Sequence, residues 1–226
     1  MSKLTSQELK VLETLYKWDP ELQKHIEPNK ESLVNYWRNP SEANEASLQE
    51  KFGIEDTFFN KPMVLFDDYE SVELSDEYFL QRSECEKAVV EFTIDFLSLL
   101  ISAFGASVPR SVKKSATLIN RILQVSSKIY DFILKLVNEK SVSKKVENLY
   151  EILKILIKEN ILSTLFDIIK NEMGPIEKIW FAAKVAGTIL LGVLSGGGLL
   201  AVKIAMLIAD GIDSIRSAIK VSEKCC

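Results

Sequence analysis

The sequence predicts an all-α protein, a multi-helix bundle with a buried apolar helical hairpin towards its C-terminal end. Three observations lead there. Nine Gly and six Pro in 226 residues leave few breaks for a fold of many short strands. Apolar residues recur at helical spacing along most of the chain, starting with Leu9, Leu12, Leu15 and Tyr16. Between Lys184 and Lys203 no side chain is charged, and Gly196-Gly197-Gly198 divides that run.

The elements follow in order from local signals. Thr5-x-x-Glu8 reads as a capping box opening the first helix, and Asp19-Pro20 starts a second that runs to about Ile26. Two more short helices are expected near Glu31–Arg38 and Ser41–Phe52, the latter stopped by Gly53. Residues 54–75 read as irregular, with Met63-Val64-Leu65-Phe66 as a short strand or an extended segment. Ser75 is the expected N-cap of a long helix reaching Phe104, with only Glu91 and Asp95 charged in its second half, so it should lie centrally. After Pro109 a single amphipathic helix is expected over Ser111–Val137, and Ser141 begins the next. Asn160 punctuates that helix before Ile161–Lys170, and Gly174-Pro175 reads as a C′ glycine followed by a first-turn proline. Three consecutive glycines cost roughly 1 kcal/mol each relative to alanine in a helix, so two helices are expected at about 176–195 and 199–220.

Charge divides the chain. Residues 1–88 hold 19 acidic and 10 basic side chains, a net −9, and the remainder makes up a net +5 to reach −4 overall. This suggests an acidic N-terminal helical and irregular subdomain, residues 1–75, beside a main helical bundle, residues 76–226. The first part could neutralise the second in a folded resting state. With no apolar stretch after Met1-Ser2-Lys3, the expectation is a chain made as a soluble cytoplasmic protein without a signal peptide.

Catalytic signals are absent. His25 is the only histidine and stands in a polar helix, so neither a nucleophilic triad nor a histidine zinc site is expected. No glycine-rich phosphate loop is present. The acidic clusters Asp67-Asp68-Glu70 and Asp76-Glu77 lack calcium-loop spacing, and basic residues are not interleaved with aromatics as in a nucleic-acid groove. The expectation is a non-enzyme with no cofactor, no metal and no nucleic-acid partner. Three cysteines make no disulfide framework, and the pair Cys225-Cys226 is a candidate lipid-attachment site.

The uncharged run carries the functional reading. Each arm alone is short of the roughly 20 residues that a membrane span needs, but Trp180–Ala183 and Ile204–Ala209 extend the arms enough. Lys184 and Lys203 would then snorkel or line an aqueous path. Leu190, Leu191, Leu194, Leu199, Leu200 and Ile204 would supply the apolar area, at about 25 cal/mol per Å². Gly196, Gly197 and Gly198 would form the bend that enters first. The same pattern also suits an ordinary core hairpin, with Gly187 and Gly192 permitting close helix packing.

In layout, the hairpin Trp180–Ala209 with Gly196-Gly197-Gly198 at its bend, followed by an amphipathic helix to Lys220, resembles the pore-forming domain of the colicins. The likeness covers roughly the last 120 residues and rests on arrangement rather than on a motif. It implies a bundle that shelters the hairpin until it meets a lipid membrane. The two lysines and the first 75 residues depart from that pattern. The Bcl-2 family shares a sheltered hairpin, but Asn35-Tyr36-Trp37-Arg38 lacks the glycine of its signature.

The leading expectation is therefore a membrane-inserting, pore-forming or permeabilising protein of the toxin, ion-channel or cell-death-effector type, soluble until triggered. A protein partner or self-oligomer could accompany insertion. The alternatives are a non-catalytic helical protein-interaction module and a membrane-surface protein lipidated at Cys225 and Cys226.

Overall fold

The computed structural model of the chain describes residues 3–53, 83–104, 106, 108–196, 199–209 and 213–225, and every regular element among them is helical. The chain is an all-α, multi-helix protein. The N-terminal part holds α1 (Ser6–Trp18), α2 (Glu21–Ile26), α3 (Lys30–Arg38) and α4 (Glu42–Lys51). The Thr5–Glu8 capping box is present: Glu8 N–H donates to Thr5 Oγ1 at 3.2 Å and Thr5 N–H to Glu8 Oε2 at 2.7 Å. Asp19 Oδ1 accepts from Glu21 N–H at 3.1 Å, Ser41 Oγ from Asn44 N–H at 3.3 Å, and Gly53 takes φ +66° past α4.

The central helix is α5 (Glu84–Ala103), opened by a capping box between Ser83 and Glu86. Its residues from Ala88 to Ile101 are buried except for the half-buried Glu91, as expected of a helix apolar on nearly all sides. The expected cap at Ser75, the Met63–Phe66 run and the two acidic clusters lie outside the described residues.

The single helix expected over Ser111–Val137 is instead three: α6 (Arg110–Lys113), α7 (Ala116–Gln124) and α8 (Ser126–Asn138). Ser115 Oγ accepts from Leu118 N–H at 3.3 Å and starts α7 afresh, and Ser126 Oγ donates to Leu123 O at 2.9 Å where the chain turns at Val125. The turn lets Ile119 and Ile122 on one side and Ile129 and Ile133 on the other all reach the core. Next come α9 (Val142–Lys158) and α10 (Ile161–Asn171), joined through Asn160 in the left-handed conformation at φ 57°. Gly174 is not a C′ residue. α10 has already ended, and Gly174 (φ −66°, ψ 165°) caps the following helix, its N–H donating to Glu177 Oε2 at 2.8 Å.

Pro175 to Ser195 form one uninterrupted helical rod: α11 (Pro175–Trp180), a π-helical stretch Phe181–Ala186, and α12 (Gly187–Ser195). At 1.5 Å per residue its 21 residues span about 31 Å. The helix expected at 199–220 is two elements, α13 (Leu199–Ala209) and α14 (Asp213–Cys225), with residues 210–212 outside the described set. α14 lies along α5 and α8, and α13 lies along α9, α12 and α5. One apolar cluster runs through the whole, joining Val11 and Leu15 of α1 to Phe92 and Phe96 of α5 and Ile189 of α12.

Candidate functional site: an apolar rod and its N-terminal latch

The rod fills the interior because it has little to offer water. From Ile179 to Ser195 its one ionisable side chain is Lys184, and 72% of its most apolar stretch is buried. Two features interrupt this uniformity, and both are met by α3 and α4. In the π-helical stretch Gly187 N–H reaches back five residues to Ala182 O, which leaves the Ala183 carbonyl without its α-helical donor. Trp37 of α3 fills the position, its indole Nε1–H donating to Ala183 O at 2.9 Å in a buried setting. Gly187 permits the approach, since a Cβ there would lie 2.4 Å from Trp37 Cζ2. The charge of Lys184 is met by Glu45 of α4 in a half-buried ion pair, and its ammonium sits 5.2 Å from the centre of the Trp180 ring. Tyr36 stands near the pair, and burial first, then the Glu45 charge, pushes its hydroxyl pKa up.

The latch is itself braced. Arg38, next to Trp37, places Nε and Nη2 on the two carboxylate oxygens of Glu8, each at 2.7 Å, and Nη2 also donates to Lys3 O at 3.0 Å. The Arg38 hydrogen bonds hold the Glu8 carboxyl below its ordinary value, against the opposing effect of burial. At the α3–α4 junction Asn44 Nδ2 donates to Asn39 O at 2.6 Å. A second support comes from aromatic stacking: Trp18, Phe166 and Phe181 form a column with ring centres 5.1 and 5.7 Å apart. Beside it lies an apolar void of about 10 Å³ between α5, α10 and the rod, too small for a ligand.

Of the residues singled out from sequence, Trp180 and Leu190 are buried and Leu191 and Leu194 are half-buried on the rod. Gly196 ends α12 at φ +71° with open space around it, whereas Gly197 and Gly198 lie outside the described residues. Leu199 begins α13, where Leu200 and Ile204 are buried, Lys203 is half-buried and Val202 faces solvent. Gly192 lets the two helices touch, since a Cβ there would lie 2.4 Å from Leu200 Cβ. Lys184 is ion-paired inside the protein in this state, not directed to solvent. His25 is exposed on α2.

The cysteine reading needs correction. Cys225 is bonded to Cys85 across 140 residues, so its sulfur is not available as a lipid acceptor in this state, and Cys226 lies outside the described residues. Sequence reasoning missed Trp37, Glu45 and Cys85 as partners of the C-terminal region. Trp37 was distinguishable only as a tryptophan on a short helix beside an arginine.

Set against family models, curated proteins and solved structures, the chain matches none.

Proposed function

We propose that this protein is a non-catalytic, membrane-permeabilising helical protein, in which α3 and α4 hold back an apolar rod that inserts into lipid together with α13. One observation carries the reading. The Ala183 carbonyl, displaced from its α-helical donor, and Lys184, the one ionisable residue between Ile179 and Ser195, are both met by the N-terminal helices, through Trp37–Ala183 and Glu45–Lys184. If α3 and α4 depart, what remains is a helix about 31 Å long, charged at Glu177 and Lys178 near its start and apolar beyond them except for Lys184, and its length is close to the thickness of a bilayer's hydrocarbon layer. Lys184, nine residues into the rod, would then need lipid phosphate, water or a second copy of the chain as its new partner. The layout likeness to colicin pore-forming domains belongs to the same reading. The second reading, a helical interaction module, draws on the burial of the rod, which a plain core helix would share.

Dye release from anionic and neutral vesicles, at neutral pH and at about pH 4.5, tests the proposal. Release by the wild type that is lost in a folded Leu194→Asp variant supports it; Leu194 is half-buried, so the change is compatible with folding. Absence of binding and release under every condition would leave the interaction module.

A further inference from the structure

α14 is held on α5 by three features that converge on one end of the pair. Cys225 is bonded to Cys85, and the neighbouring residues Lys224 and Glu84 form an ion pair at 2.9 Å. Just beyond, Glu91 of α5 is half-buried where Lys220 and Lys224 of α14, Lys87 and Asp95 surround it. Asp95 and Ser98 continue that polar stripe into the interior, both with about 6% of their surface exposed. Such a stripe is a poor surface on which to dock a helix, because every carboxylate it covers is taken from water. The covalent bond compensates at the end of the helix pair, where the flanking Glu84 and Lys224 side chains are exposed and both bridge sulfurs belong to half-buried residues.

We propose that the Cys85–Cys225 bridge is a redox-operated clamp: oxidised, it keeps α14 on α5; reduced by a dithiol, it lets α14 leave and uncovers the Glu91–Asp95 stripe. A thiolate of the dithiol attacks one bridge sulfur, the S–S bond breaks, and the other cysteine leaves as a thiolate that takes a proton from water. The second thiol of the reductant then attacks the mixed disulfide, closing its own disulfide and freeing the second cysteine. Two electrons pass from the dithiol to the bridge. This clamp is distinct from the latch on α3 and α4 and goes beyond the membrane reading, since it concerns the other flank of the apolar region.

The test is hydrogen exchange without lipid, on protein carrying Cys226→Ser so that Cys225 has one partner available. Non-reducing peptide mapping should recover a peptide joined through Cys85 and Cys225. On adding dithiothreitol, exchange of the α14 amides should rise about tenfold or more while α1 and α9 change far less, and reoxidation should reverse it. The double variant Cys85→Ser/Cys226→Ser should behave as the reduced protein does. No bridged peptide, no change in α14 on full reduction, or an equal rise in every helix would each overturn the clamp. None of these readouts involves a membrane, so failure of the clamp and failure of the insertion reading are separate results.

Discussion

Trp37 and Gly187 act as a pair, because the indole occupies the space that any side chain at position 187 would need. Trp37→Phe keeps an aromatic ring and removes the N–H that donates to the buried Ala183 carbonyl. The expected cost is about 1–3 kcal/mol, read from urea unfolding. Gly187→Ala should cost a similar amount, about 1–3 kcal/mol, by forcing the indole off its site. Both should raise protease sensitivity around α3 and α4 before the rest of the protein responds. Glu8 makes the acid response calculable in sign. Its pKa in the folded protein lies below the ordinary glutamate value, so the Glu8–Arg38 contribution is fully present above that ordinary value. It is lost as pH falls through the lowered value. Glu91 behaves oppositely: burial raises its pKa, so lowering the pH favours the folded α5–α14 pairing. Acid therefore weakens the N-terminal brace while easing the contact at the other flank, and Glu8→Gln should flatten the acid limb of stability measured between neutral pH and about pH 3.

At the scale of elements, the two glycines near the bend have different duties. Gly192 allows α12 and α13 to meet at Leu200, and Gly192→Ala should destabilise by about 1–3 kcal/mol because the neighbour is a Cβ that cannot swing aside. Gly196→Ala meets open space, so its cost should be limited to about 1 kcal/mol of left-handed backbone strain. Denaturant midpoints of the two variants separate these effects. The same contrast explains which boundaries were legible in the sequence. Thr5, Ser41, Gly53 and Asn160 punctuate helices by local chemistry, and each stands where its residue type suggests. The breaks at Ser115 and Val125 were not read, because apolar periodicity continues through them and only the hydroxyl bonds mark the turn. Gly174 is a cap rather than a stop for a related reason: Glu177 answers its N–H from within the next helix.

Across the whole molecule, helix content and the centrality of α5 could be read from composition and periodicity. The contacts that define the candidate site could not. Trp37–Ala183, Glu45–Lys184 and Cys85–Cys225 join residues 146, 139 and 140 positions apart, and nothing in the local pattern around any of them names its partner. The charge asymmetry anticipated an acidic N-terminal part neutralising a basic remainder, and the Glu45–Lys184 pair is one concrete instance of it. What the structure adds is that α3 and α4 touch the apolar rod at Lys184, its one ionisable residue between Ile179 and Ser195, and at its π-helical stretch. Weakening of α3 and α4 should therefore favour membrane binding more than it perturbs α9 or α10.

The most direct test follows the apolar arms themselves. Val202 faces solvent on α13, so an environment-sensitive dye on Val202→Cys, in the Cys226→Ser background with the bridge intact, should not disturb the resting fold. With vesicles, and with the α3 contact weakened by Trp37→Phe, the dye should shift to a hydrocarbon-like emission and be quenched by nitroxides placed deep in the acyl chains. Emission that stays water-like on bound vesicles, with quenching only by headgroup probes, would contradict insertion.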